Sequence, residues 1–280
     1  MSNSGKNMRL RRIFDKKSGN VVMFAASHGT STGVVLSGLE NIESITRKAF
    51  TGGADIVFLS TGMINKNISL FEDFPEKSVA LKLSSSGVGY EVKNQEVQIF
   101  SVEHAVKIGA DAVVVLLPFS PENEVNIISW LSALSEKCYD FGMPLIAEAE
   151  LPTSYSAAEG IVVTEDTVKH LKRICRLSAE LGADIVKTNW TGSEKTFNEI
   201  INVLPVPVVV AGGSRESDID LLTKIELAIK AGARGCSVGR NIFQHKNPIG
   251  ITRAISAVTK DKVSAKEAVS LIQIHPERLK

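Results

Sequence analysis

The sequence predicts a (β/α)8 TIM barrel in a single domain, and three observations carry that expectation. Short, nearly continuous apolar runs alternate with amphipathic stretches, the pattern of a parallel sheet covered by helices on its outer face. Eight such runs fall between Val21 and Val238. A repeat marks the junctions: Gly53-Ala54-Asp55, Gly109-Ala110-Asp111 and Gly182-Ala183-Asp184 each sit between a helix end and a strand, and Gly232-Ala233-Arg234 holds the same place. The glycine of each triplet suits a left-handed helix cap. The length of 280 residues fits one barrel of about 250 residues with extensions. A doubly wound open sheet uses the same alternation and is the competing topology.

Residues 1–17 read as a basic, polar lead-in, and residues 18–280 as the barrel with helices at its carboxyl end. Val21 to Ala26 is the first buried strand, followed by a Gly/Ser/Thr-rich loop from Ser27 to Gly33. Asn41 to Phe50 has helical character, with Asn41 as N-cap and Glu43 in the first turn. Strands follow at Ala54 to Ser60 and Val79 to Leu83. Ser84 to Gln98 reads as a long loop or small excursion, and Ser101 to Ile108 as a helix with half a capping box. Ala112 to Pro118 is a strand and Glu122 to Tyr139 an amphipathic helix. Pro144 to Leu151 is a strand interrupted by two carboxylates. Thr164 to Leu181 is a helix with a threonine cap and two acids in its first turn. A short strand at Ile185 then runs into Lys187. A helix near Phe197 to Val203, a strand at Pro207 to Ala211, a helix at Asp218 to Ala231 and a strand at Gly235 to Val238 complete the alternation. Pro248 to Lys260 and Ser264 to Ile272 are helical.

Composition narrows the class. The chain is 44% hydrophobic and 22% charged with a formal net charge of +1, which points neither to nucleic acid nor to a membrane surface. Three cysteines, Cys138, Cys175 and Cys236, lie far apart without a CxxC pair, so neither a disulfide framework nor a zinc cluster is indicated. The amino-terminal stretch lacks the apolar core of a signal peptide, and no apolar run approaches the ~20 residues of a membrane span. The cytoplasm is the expected compartment. No GxGxxG or P-loop pattern occurs, so no nucleotide cofactor is expected.

The chemistry centres on Lys187. A lysine continuing a buried strand is costly while charged, and desolvation favours its neutral form, a nucleophile toward carbonyl carbon. Snorkelling from the strand end to water is the plainer alternative. Barrel topology brings further groups to the carboxyl ends of the strands, where such sites form: Ser27 and His28, Lys82, Glu148 and Glu150, Gly212 and Gly213, and Gly239 and Arg240. Glu148 and Glu150 alternate and therefore share a face, as candidates for proton transfer. Lys82 is positioned either to pair with one of them or to lower the pKa of Lys187 by repulsion. Gly212-Gly213 and Gly239-Arg240 follow the last two strands, where backbone N–H groups and an arginine suit a substrate phosphate. The three repeat aspartates fall at the opposite mouth and read as structural.

Several segments carry a resemblance. Leu181 to Gly192 (LGADIVKTNWTG), Val208 to Gly213 (VVVAGG) and Val238 to Gln244 (VGRNIFQ) resemble the archaeal-type class I fructose-bisphosphate aldolase family. Within it they are similar to the branch of 2-amino-3,7-dideoxy-D-threo-hept-6-ulosonate synthases. Leu10 to Phe14, His28-Gly29, Gly142 to Ala147 and Gln244 to Ala254 extend the likeness over nearly the whole chain. The resemblance implies a barrel, a Schiff base on Lys187, a substrate phosphate on the Gly212/Gly213 and Gly239/Arg240 loops, no metal, and a homo-oligomer. Two positions depart from the pattern: Ser27 stands where the family has an aspartate before His-Gly, and Glu150 where it has an acid–base tyrosine. The expected function is a Schiff-base aldolase acting on a phosphorylated keto sugar. Acyl transfer from a phosphorylated diketone to coenzyme A and non-catalytic sugar-phosphate binding are the alternatives.

Overall fold

A computed structural model describes residues 3–31, 35–86, 96–151 and 163–273. Eight parallel strands close into a barrel in the order β1 (Val21–Ala25), β2 (Ile56–Leu59), β3 (Ser78–Lys82), β6 (Ala112–Pro118), β7 (Leu145–Glu150), β8 (Ile185–Thr188), β9 (Val208–Ala211) and β10 (Gly235–Val238). β10 pairs back onto β1, which excludes the open sheet. Outside the barrel, β4 (Ser84–Ser86) and β5 (Glu96–Gln98) pair antiparallel. The long loop expected at Ser84 to Gln98 is thus strand-paired at both ends; its tip, residues 87–95, lies outside the described residues. Residues 32–34 of the Gly/Ser/Thr-rich loop lie outside them as well.

The helices are α1 (Ser4–Ile13), α2 (Ile42–Thr51), α3 (Thr61–Lys66), α4 (Ile68–Asp73), α5 (Val102–Lys107), α6 (Glu124–Asp140), α7 (Glu165–Glu180), α8 (Glu194–Ile201), α9 (Asp218–Lys230), α10 (Arg240–Phe243), α11 (Pro248–Lys260) and α12 (Ala265–Leu271). Sequence capping signals are realised. Asn41 and Thr164 accept from the third helical N–H of α2 and α7, and Ser101 accepts from the N–H of His104. The helix expected from Phe197 begins earlier, because Ser193 caps it and Glu194 occupies its first turn. Gly53, Gly109, Gly182 and Gly232 have φ of +105°, +75°, +102° and +109°, the left-handed conformation that the repeat implies.

The repeat aspartates fasten strands to one another. Asp55 accepts the N–H of Val22 at 2.8 Å, Asp111 that of Val79 at 3.2 Å, and Asp184 that of Leu145 at 2.8 Å. Each therefore satisfies a donor at the start of the preceding barrel strand. Lys260, Arg12 and Lys6 neutralise the three carboxylates. Two of those partners belong to α1, which the polar lead-in did not announce. This helix lies across the amino-terminal mouth, with Ile13 fully buried against the barrel interior and Leu10 and Phe14 packed beside it.

Inside the barrel, side chains change character along the strands. Val21, Met23, Ile56, Phe58, Ala80, Ala112, Val114, Ile146, Ile185 and Val209 form an apolar lower core with Ile13. Above it the inward positions become Lys82, Glu148, Glu150 and Lys187. The outward faces of the strands pack against the helices in a second, larger core. No helix among the described residues is long and apolar enough to cross a membrane.

Candidate active site

The period of two that points Ile146 inward does the same for Glu148 and Glu150, and the β7–β8 register sets Glu148 beside Lys187. The four charged side chains form one chain of contacts. Lys82 Nζ donates to Glu148 Oε2 at 2.6 Å, Lys187 Nζ donates to Glu148 Oε1 at 2.6 Å, and Lys187 Nζ lies 3.0 Å from Glu150 Oε1. Lys82 is 1% exposed, Glu148 5%, Glu150 7% and Lys187 9%, so Lys187 does not snorkel to water. Two ammoniums against two carboxylates give a net charge of zero, the condition on which such groups tolerate burial.

These contacts correct one expectation. Burial disfavours the charged form of Lys187, but Glu148 and Glu150 outweigh it and place its pKa above the ordinary lysine range. Lys82 does not act by repulsion; Glu148 holds it in an ion pair. Burial likewise pushes the Glu148 carboxyl up, but Lys187 and Lys82 overcome that and bring it down to about 2. At rest Lys187 is an ammonium and Glu148 a carboxylate, so a nucleophilic amine requires a proton transfer within the cluster.

Ser27 and His28 lie in the turn after β1, where a short 3-10 segment covers His28–Thr30. The His28 ring meets Phe243 edge-on at 5.1 Å, and its Nδ1 is buried. Desolvation, then the positive charges of Lys187 and Arg240, lower its pKa to about 3, so it is a neutral imidazole at physiological pH. A Cβ at Gly239 would lie 2.6 Å from both His28 Cε1 and the Ala25 carbonyl oxygen, so only glycine lets the ring approach this strand end. Ser27 accepts hydrogen bonds from Thr30 through its carbonyl, and among the described residues its hydroxyl does not enter the lysine–glutamate chain.

The glycine loops flank this cluster. The Gly212 N–H donates to the Ser237 carbonyl at 2.8 Å, so donors for an anion would come from Gly213 onward. Two residues that sequence reasoning did not single out shape the loop. Lys224 Nζ donates to the Gly212 carbonyl at 2.7 Å, and buried Asn241 accepts from the Glu216 N–H at 3.0 Å and donates to the Ser214 carbonyl at 2.9 Å. Gly239 and Arg240 stand at the junction of β10 and α10. A third missed residue, Glu96 on β5, lies at the barrel mouth under the influence of Lys82 and Glu148. Its only signal was an alternation opposite Ser84 to Ser86.

Residues 13–245 match the model of the DeoC/LacD family aldolases. A 2-amino-3,7-dideoxy-D-threo-hept-6-ulosonate synthase of Halobacterium salinarum is 30% identical over 96% of this chain and 97% of its own length. A 3-hydroxy-5-phosphonooxypentane-2,4-dione thiolase of Escherichia coli is 31% identical over 95% of this chain and 86% of its own. An archaeal fructose-1,6-bisphosphate aldolase, solved with its catalytic lysine covalently bound to the carbinolamine intermediate of the substrate, superposes with a TM-score of 0.78 and 27% identity, covering 91% of this chain and 99% of that one.

Proposed function

The chain belongs to the DeoC/LacD family of aldolases, and from that premise we propose that it makes or breaks a carbon–carbon bond through an imine on Lys187 with a phosphorylated keto substrate. The observation that carries this reading is the buried Lys187 ammonium held by two carboxylates at 2.6 and 3.0 Å. After passing its proton to a neighbouring carboxylate, Nζ attacks the ketone carbon. The C=O pair moves to oxygen, which takes up a proton. Loss of water then gives the protonated imine, the sink for the electron pair of the adjacent C–C bond. Glu150 moves protons at this centre, and Glu148 keeps both lysines in place. Neutral His28 orients a substrate oxygen, while Arg240 and the N–H groups of the glycine loops hold the phosphate, with Gly213 as the first available donor. Sugar phosphates are the leading substrate class. The reading places the enzyme in the cytoplasm as a homo-oligomer, which sedimentation velocity would test.

Borohydride trapping tests the chemistry. The protein is incubated with dihydroxyacetone phosphate, reduced and digested. A mass increment on the Lys187 peptide that is absent from Lys187→Ala is the expected result. Phosphate-dependent thermal stabilisation with no adduct would replace catalysis with sugar-phosphate binding. The thiolase relative supports a second reading, acyl transfer from a phosphorylated diketone to coenzyme A. Formation of a coenzyme A thioester, measured by thiol consumption, distinguishes it from aldol chemistry.

A further inference from the structure

The lysine–glutamate chain lacks a proton donor for the far end of the substrate. Glu148 spends both oxygens on ammoniums, and Glu150 lies against Lys187. Glu96 is a different kind of carboxyl. Its Oε1 accepts from the Ser86 hydroxyl, and Ser84 on the same strand as Ser86 accepts the Leu116 N–H at 3.1 Å through its hydroxyl. The hairpin that carries Glu96 is thereby seated above β3 and β6, and Ser85 ties it to the Thr30 carbonyl in the turn after β1. Glu96 Oε2 is buried and has no hydrogen-bond partner among the described residues. A buried oxygen of this kind is costly unless something visits it.

Barrel order gives Glu96 its place relative to the substrate. β3 and β6 lie across the closed barrel from β9 and β10, whose loops are the proposed phosphate anchor. A substrate tethered there and joined to Lys187 on β8 extends toward β3. Resting on the imine reading above, we propose that Glu96 is the catalytic acid–base residue for the far end of the substrate, exchanging a proton with the oxygen that is hydroxyl in the joined product and carbonyl in the separate aldehyde.

In the bond-forming direction the enamine carbon attacks the aldehyde carbon and the C–C bond forms. The carbonyl pair moves to oxygen, which takes the proton from the Glu96 carboxyl. In cleavage the Glu96 carboxylate takes the hydroxyl proton, the C=O bond re-forms, and the C–C pair flows into the protonated imine. The electrostatics suit this division of labour. Burial raises the pKa of Glu96, with Glu148 adding to the shift, while Lys82 and the two serines oppose it in part. Glu148, facing the same Lys82, is driven the other way. Two carboxyls whose environments push their pKa values apart divide into a proton carrier and a fixed charge.

The test uses Glu96→Gln, close to isosteric and neutral, with fructose 1,6-bisphosphate as the probe. Reduced adducts on Lys187 report the bond directly: an uncleaved ketose leaves a six-carbon adduct and a cleaved one leaves three carbons. Wild type is expected to give mainly the three-carbon adduct. Glu96→Gln should label Lys187 at an undiminished rate yet retain the six-carbon adduct, with cleavage slowed 100-fold or more, within the ~10²–10⁴ range of acid–base catalysis. Wild-type cleavage should also show a pH limb above the ordinary carboxylate range that disappears in Glu96→Gln and shifts in Glu96→Asp. Three-carbon adduct in both proteins at equal rates, or six-carbon adduct in both, overturns the role of Glu96 while leaving the imine intact. No adduct in wild type overturns the imine reading and this role with it.

Discussion

Replacing Glu148 with glutamine removes the carboxylate that holds two buried ammoniums. Each contact is 2.6 Å. At an effective dielectric of ~20, a pair at that separation attracts by roughly 6 kcal/mol, most of it offset by the cost of burying the ions. What remains after one partner is deleted is an uncompensated charge, and the expected loss of stability at pH 7 is ~3–5 kcal/mol. The sign of the pH dependence adds a second check. In wild type the Lys187 pKa is raised above its unfolded value, so its contribution is fully present below ~10.4 and is lost as pH rises beyond that. In Glu148→Gln one ammonium faces a neighbouring cation without the shared carboxylate, so its folded pKa falls below the unfolded value. The unfolded chain then binds more protons, and the variant gains stability with rising pH by up to ~1.4 kcal/mol per unit. Urea denaturation at pH 7 and pH 9.5 measures both effects. The gap between the two proteins should narrow at the higher pH. A gap below about 1 kcal/mol, or one that does not change with pH, would refute the charge arrangement.

Other expectations follow from single groups. His28 has a folded pKa lowered to about 3 against ~6.5 unfolded, so between those values acid protonates the unfolded chain first and wild type loses stability by up to ~1.4 kcal/mol per unit. His28→Asn should flatten the stability profile between pH 6.5 and 5, above the range in which Glu148 titrates. Cys138, Cys175 and Cys236 are all buried, and desolvation pushes each thiol up to about 12. Iodoacetamide at pH 8 should therefore label none of them in the native protein and all three in urea. Ile13→Ala opens a cavity beneath the barrel and should cost ~2–5 kcal/mol by urea denaturation, while leaving adduct formation on Lys187 measurable below the transition.

Much of this fold was written in local signals. The alternation of buried strands with amphipathic helices, the glycine caps and the repeat aspartates each express one backbone requirement, and all are met where expected. α1 was hidden because Ser4–Ile13 is polar along most of its length and buries only Ile13. A helix that plugs a barrel with one residue leaves no apolar stripe to read. The grouping of Lys82, Glu148, Glu150 and Lys187 was legible for the same reason as the fold: strand ends converge in a barrel, so residues from three separated segments could be placed together. Their protonation was not. A buried lysine read in isolation loses its proton, whereas this one has carboxylates at 2.6 and 3.0 Å, distances set by side-chain rotamers and barrel curvature. Glu96 escaped because its cross-strand partner Ser86 lies ten residues away, in a run of three serines that carries no apolar alternation of its own.

Lys187 has a raised pKa, yet imine chemistry needs its neutral amine, so the route by which its proton leaves decides the pH dependence of the reaction. If Lys187 had to release its proton to water, even an ordinary lysine would be neutral in fewer than about one molecule in a thousand at pH 7, and imine formation would rise tenfold per pH unit. Transfer inside the cluster removes that dependence, because the number of bound protons is the same before and after. The acceptor matters. Glu148, brought down to about 2 and shared between two ammoniums, is a poor base. Glu150, 3.0 Å from Nζ, is the remaining carboxylate in contact with Lys187. Wild type should therefore form the trapped dihydroxyacetone phosphate adduct at a rate that varies less than about threefold from pH 6.5 to 9, a range in which a lysine releasing its proton to water would gain more than a hundredfold. In Glu150→Gln the internal acceptor is gone and the tenfold-per-unit rise should return. A tenfold-per-unit rise in wild type, or a flat profile in the variant, would show that the proton leaves Lys187 by another route.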